Sequence, residues 1–255
     1  MLSKALEESS TEIYSGEQER SIINHFISQG EDLEFIREVC LDSRAGLNPE
    51  IVNKTLKNHV SLRQNNNFIY VPSISLYIAK ERTHLNKNWS EGHKLLQANG
   101  ERMLILPEFI EFLKYCKINN PEIYEEITEV RSPWRAEWID ADFKVKGKDL
   151  FINYNHILDS NGNLIPKNSE PLDRNILMKD KIPGISLDDY LNRNHTSQGF
   201  PNKKIESGDL YYWCPDKDNN SVAGFNALSV GASLVCNRNS SYQNSNLGVR
   251  AVRHA

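Results

Sequence analysis

The sequence is poor in the features that mark a disulfide-framed, membrane-spanning or nucleic-acid-binding chain. It has four cysteines in 255 residues, Cys40, Cys116, Cys214 and Cys236, and no two form a CxxC pair. Such sparse cysteine excludes a disulfide framework and makes reduced thiols the expectation. A Cys214–Cys236 bridge is the pairing to weigh against two buried thiols. No apolar run approaches the roughly 20 residues that cross a bilayer. The start, MLSKALEESSTEIYSGEQER, lacks the apolar stretch of a signal peptide. A net charge of -4 gives no support to broad nucleic-acid binding, which needs a basic face. Gly-rich phosphate loops, GxSxG and HExxH are all missing, so the common catalytic signatures are too. What remains is a globular chain long enough to bury a core as one large domain or two small ones.

Isolated polar residues add little. His25, His59, His84, His93, His156, His195 and His254 show no ligand spacing, so neither a metal nor a cofactor is expected. Asp159, Asn161 and Asn163 alternate like a calcium loop, with Glu170 at the twelfth position. Leu164 stands where that loop needs glycine, so a hairpin turn is the better reading. Asp140 and Asp142 share a face if WIDADF is extended, and a solvated strand face outweighs acid–base work there. Trp134, Trp138 and Trp213 could form a ligand platform, but core anchoring is the commoner use of such rings.

The periodicity changes along the chain. EQERSIINHFISQG and EDLEFIREVCLDSRAG carry apolar residues at helical spacing and end at Gly30 and Gly46. LNPEIVNKTLKNHV opens with an Asn-Pro helix entry. FIYV reads as a strand, and Pro72 keeps it from a central, fully paired place. A helix capped by Asn88 and another entered at Pro107 follow. Strands are expected near Asp142–Val145, Leu150–Tyr154 and Leu164–Ile165, with turns at Lys146–Lys148 and Ser160–Asn163. The polar stretch that follows predicts a long excursion holding one short helix, Ser186–Leu191. The end predicts strands near Ser221–Phe225, Ala232–Cys236 and Gly248–Arg253. Residues 1–60 thus form a helical N-terminal region and residues 61–255 the main domain.

The last segment, NNSVAGFNALSVGASLVCNRNSSYQNSNLGVRAVR from Asn219 to Arg253, contains no Lys, Glu, Asp, Trp or Met. Up to Asn246, and apart from Gln243, every residue can be reached from an asparagine codon by changing its adenines alone. Strand alternation separates two sets of side chains. Ala223, Phe225, Ala227, Ala232, Leu234 and Cys236 suit a core face. Gly224, Asn226, Leu228, Ser233, Val235 and Asn237 are mixed, as on an outward face that does not decide folding. Leu247, Val249 and Val252 then close the core.

On this segment, the preceding SGDLYYW, and the blocks RMLILPEFIEFLKY and EVRSPWRAEWIDADFKV, the chain resembles the variable proteins of diversity-generating retroelements. It is most similar to their archaeal, Nanoarchaeota-type group. The likeness covers roughly the second half of the chain. In that family an error-prone reverse transcriptase misreads template adenines, and the altered copy replaces the end of the target gene. The resemblance implies an α+β C-type lectin fold, here with an additional N-terminal helical region, and a non-enzymatic protein that displays variable side chains. It places the variable, ligand-binding set at Asn226, Leu228, Val230, Gly231, Ser233, Val235, Asn237, Asn239, Tyr242, Asn244 and Asn246. Ala232, Leu234, Cys236, Leu247, Gly248, Val249, Arg250 and Val252 match scaffold positions. The partner implied is a protein or cell-surface ligand, bound without cofactor or metal. A monomer and surface display are compatible with it, though no export signal is visible. Two alternatives stay open: a lectin-fold oxidoreductase related to formylglycine-generating enzymes, and a structural or tail-associated protein with no diversified site.

Overall fold

Capping signals in the sequence set most helix starts. In the computed structural model, which describes residues 15–29, 31, 33–41, 47–64, 67–172, 177, 179, 181–202 and 208–254, α1 spans Gly16–Ser28. The side chains of Ser15 and Gln18 form a reciprocal capping box at its start. Helix α2 spans Leu33–Leu41 and α3 Pro49–Gln64, entered from Asn48 as the Asn-Pro pair predicts. The predicted stops at Gly30 and Gly46 lie outside the described residues. These helices share an apolar cluster of Ile23, Ile27, Ile36, Cys40, Val52 and Leu56. Strand β1, Phe68–Val71, runs into a 3-10 turn, Pro72–Ile74. Together they belong to one unit, Met1–Ile78 with Arg253–Ala255; the other unit is Ala79–Val252. Among the described residues no helix is long and apolar enough to cross a membrane.

Among the described residues, the second unit is a mixed α+β structure built on a sheet of nine strands, of which β2 spans Leu76–Thr83. Helix α4, Trp89–Ala98, is capped by Asn88 with Glu91 answering, as the sequence predicts. Helix α5, Leu106–Asn119, takes Pro107 in its first turn, and α6 is Pro121–Thr128. Strands β3, Arg135–Lys146, β4, Asp149–Leu158, and β5, Leu164–Leu172, pair in antiparallel order. β3 is longer than its sequence signal because its first nine residues are buried on both faces, which erases the alternation that marks a half-exposed strand. β6 spans Lys181–Ile185, α7 Leu187–Asn192 and β7 Leu210–Trp213. The polar excursion therefore takes in the end of β5 and all of β6 beside the expected helix, and its residues 173–176, 178, 180 and 203–207 lie outside the described set.

The closing strands are β8, Ser221–Leu228, β9, Gly231–Arg238, and β10, Leu247–His254. The order β2-β10-β3-β8-β9-β7-β6 puts β3 and β8 at the centre, with β10 and β4 sharing one edge of β3 in succession. β10 pairs with Ala136 and Glu137, and β4 takes over from Asp142. The register of β3 against β8 slips between Trp138 and Asp142, where one neighbour gives way to the other. That slip decides where Asp140 points its backbone: its N–H donates to Leu104 O at 2.8 Å rather than to a strand.

Candidate functional site

The inner face of β8 and β9 is an apolar wall. Ala223, Phe225, Leu234 and Cys236 are fully buried, and Phe225 lies against Phe109 of α5 with ring centroids 5.1 Å apart. Opposite Phe225 stands Glu137 of β3. Its carboxylate meets Arg250 Nε at 2.8 Å and Arg135 Nη2 at 3.3 Å. Glu126 of α6 closes the group, 3.0 Å from Arg135 and 3.5 Å from Arg250. Burial pushes the Glu137 carboxyl up, but the two guanidinium groups overcome it and hold its pKa below the ordinary value. The scaffold positions predicted from the sequence lie inside this wall: Ala232, Leu234, Cys236, Leu247, Val249, Arg250 and Val252 are all buried. Gly248 is fixed by space, since a Cβ there would come within 2.7 Å of Thr83 O.

The outer face is organised differently. Asn226, Leu228, Ser233, Val235, Asn237 and Tyr242 line one open depression of about 370 Å³, together with Trp134, Trp213 and Arg238. β8 and β9 place Asn226 directly across from Ser233, and β7 brings Trp213 beside Val235. The outward set is therefore not uniformly exposed, contrary to the simple alternation. Asn226 is 3% exposed and Ser233 0%, because they form the floor while the aromatic side chains stand around them. Leu228 is half-buried and Asn237 exposed, with Tyr242 40% exposed at the rim.

The remaining predicted positions lie outside this depression. Val230 is exposed in the two-residue turn between Leu228 and Gly231. Gly231 is buried with φ of 132°, a conformation L residues rarely adopt, so the hairpin itself asks for glycine. Asn239 Oδ1 accepts from Ser241 N at 2.9 Å, and Asn244 Oδ1 accepts from Asn246 N at 2.9 Å. These are local turn bonds that asparagine makes readily. The carbonyls of Ser240 and Asn244 accept from Trp89 N and Asn86 N, and that of Asn246 from Ala136 N, which ties the loop to the body at several points.

Arg238 is the residue the sequence reading left out. Strict alternation puts it with Leu234 and Cys236, on the inside. A one-residue slip between β8 and β9, between Val222 and Gly224, turns it to the outer face. Its guanidinium sits 5.6 Å from the Trp138 ring and 5.2 Å from the Tyr242 ring. Nη2 donates to Asn226 Oδ1 at 3.1 Å, and Nη1 is buried without a hydrogen-bond partner. Among the described residues no carboxylate forms an ion pair with it. Ser233 Oγ is likewise buried without a partner. The three tryptophans divide: Trp134 and Trp213 line the depression, whereas Trp138 is a buried anchor under Arg238. No disulfide links Cys214 to Cys236, and Cys236 is fully buried.

Two smaller expectations are settled nearby. Asp140 and Asp142 do not form a solvated face; they are 1% and 6% exposed, because the slip in β3 turns that stretch under β4 and α4. Asp159 makes a hairpin turn, its Oδ1 accepting from Asn161 N at 2.9 Å and Asn163 N at 2.8 Å. Comparison with protein-family models, with curated proteins and with solved structures gives no significant match for this chain.

Proposed function

We propose that this protein is a ligand-binding display protein, a variable protein of a diversity-generating retroelement with a C-type lectin fold. On this reading the end of the chain is rewritten at adenines while the inner wall holds the backbone in place. The reading is non-enzymatic, and its mechanism is selection of side chains around one concave patch. The observation that carries it is the convergence of Asn226, Leu228, Ser233, Val235, Asn237 and Tyr242 on a single depression. Tyr242, Trp134 and Trp213 supply rigid aromatic area, the usual source of affinity in such surfaces. Arg238 and Ser233 add donors whose bonds the chain does not complete. A protein or cell-surface partner that places an acidic or carbonyl group between the rings would complete them. The buried position of Cys236 gives the oxidase alternative no accessible cysteine pair.

The coding DNA tests this. The expected result is a near-copy of the segment encoding residues 219–253, differing at adenines, beside a reverse-transcriptase gene. A locus with neither overturns the proposal. Once a partner is in hand, joint replacement of Leu228, Val230, Val235 and Tyr242 by Ser should abolish its binding. Binding that survives this replacement places the partner elsewhere on the molecule.

A further inference from the structure

Away from the depression, two buried imidazoles from separate elements converge on one oxygen of a buried carboxylate. Asp140 Oδ1 lies 2.5 Å from His156 Nδ1 and 3.5 Å from His93 Nε2. Asp140 Oδ2 accepts from His156 N at 3.0 Å, which fixes the carboxylate's orientation. His93 is 0% exposed and neither of its ring nitrogens has a hydrogen-bond partner. A buried polar atom left in that state costs about 1–3 kcal/mol. We propose that His93, Asp140 and His156 bind a divalent first-row transition-metal ion.

The surroundings fit such an ion. The ring of Trp89 stands edge-on to both imidazoles, at 4.3 and 4.9 Å, and its N–H donates to Ile139 O at 2.9 Å, so both rings are held in place. Burial lowers the His93 pKa to about 4, which keeps its ring neutral, the form that ligates. His156 Nε2 faces Asp142 Oδ2 at 3.8 Å, and Lys144 anchors Asp142 at 3.0 Å. A carboxylate behind a metal-binding histidine is the usual arrangement for orienting the ring. In a tetrahedral shell with bonds of roughly 2.0–2.2 Å, ligand atoms stand about 3.3 Å apart. The His93 spacing already matches; the His156 spacing must open by less than about 1 Å, as the ion replaces the shared proton. Two imidazoles and one carboxylate favour zinc or iron(II) over calcium or magnesium, which prefer all-oxygen shells. Asp140 also lines a cavity of about 250 Å³ with Tyr154, Glu170 and Gln198, which neither histidine borders.

The test uses the full chain without a histidine tag, stripped of metal by chelator dialysis. Co²⁺ is titrated and followed by its visible absorption, then displaced with Zn²⁺. One equivalent bound with an apparent Kd below about 10 µM is expected. His93→Gln should weaken binding at least about tenfold. No saturable one-to-one binding by the natural chain overturns the proposal. So does a His93→Gln protein, shown to be folded by its circular dichroism, that binds as tightly as the natural chain. Should that variant not fold, His156→Gln replaces it under the same criterion, and the natural chain's own stoichiometry still decides.

Discussion

Arg250 and Arg238 sit on opposite faces of the same sheet and are treated in opposite ways. Arg250, on the inner face, meets Glu137 at 2.8 Å, Ala79 O at 2.9 Å and Glu126 at 3.5 Å, under the ring of Phe112. Arg238, on the outer face, is met by two aromatic rings and one amide oxygen. Both are shielded from water, so burial alone does not separate scaffold from surface. Pairing does. A buried cation answered by carboxylates has its charge balanced within the chain and locks its neighbours, even though Arg250 Nη2 makes no hydrogen bond and only approaches Glu126. Arg238, at an open depression and with no carboxylate paired to it among the described residues, is the cation left for an outside group to answer on the proposed reading.

Removing an answering charge on the inner face should have the largest effect. Glu137→Gln leaves Arg135 and Arg250 buried with only Glu126 to oppose them, and should cost about 3–5 kcal/mol in unfolding free energy by urea denaturation. A loss under about 1 kcal/mol would mean the inner cluster is not the lock described here. Acid should act on the same bond. The Glu137 pKa is depressed in the folded state, so its contribution is whole above the unfolded value, roughly pH 4.3, and is lost as pH falls through the lower folded value. The groups around it are Arg135, Arg250, Arg82, Glu126 and Cys116; burial pushes the Cys116 thiol up to about 12, so it stays neutral throughout. The natural chain should therefore lose stability below about pH 4, and the Glu137→Gln chain should lose less.

The turn between the two faces should show an intermediate effect. Gly231 holds φ of 132°, and a Cβ there meets Asp209 O at 3.4 Å and Tyr211 Cε2 at 3.5 Å. Space is tolerable, so the cost of Gly231→Ala is backbone strain, about 1–3 kcal/mol by thermal or urea unfolding. If adenine-directed change reaches this codon freely, the variant should instead be nearly neutral. The measurement thus separates a hairpin position from a display position inside the same segment.

How far the residues themselves announced this follows from the same contrast. The closing strands, the Asn88 cap, the short helix at Ser186 and the hairpin turns were legible, because local chemistry sets them. The length of β3 was not, since a strand buried on both faces carries no alternation. Four of the six outward positions met in one depression because period two holds over Asn226–Leu228 and Ser233–Val235; Asn237 and Tyr242 join them from beyond those spans. Arg238 was missed because a register slip of one residue reverses a face, and nothing in the string CNRN marks the slip. The meeting of His93, Asp140 and His156 was invisible for a related reason: three distant elements are joined by the point at which β3 changes partner.

The smallest effects belong to the rim, and they sharpen the comparison most. Val230 is 57% exposed, and Asn237 is exposed beside the depression. Neither side chain is needed by the inner wall. Val230→Ser and Asn237→Ser should each change unfolding free energy by no more than about 0.5 kcal/mol. Tyr242→Ser should cost slightly more, about 0.5–1 kcal/mol, because it removes one of the two rings over Arg238. The ordering carries the argument: rim below turn, turn below inner cluster. Rim substitutions that destabilise as much as Gly231→Ala would show that the outer residues help hold the fold. A surface that must stay folded through many rewritings cannot depend on the groups being rewritten.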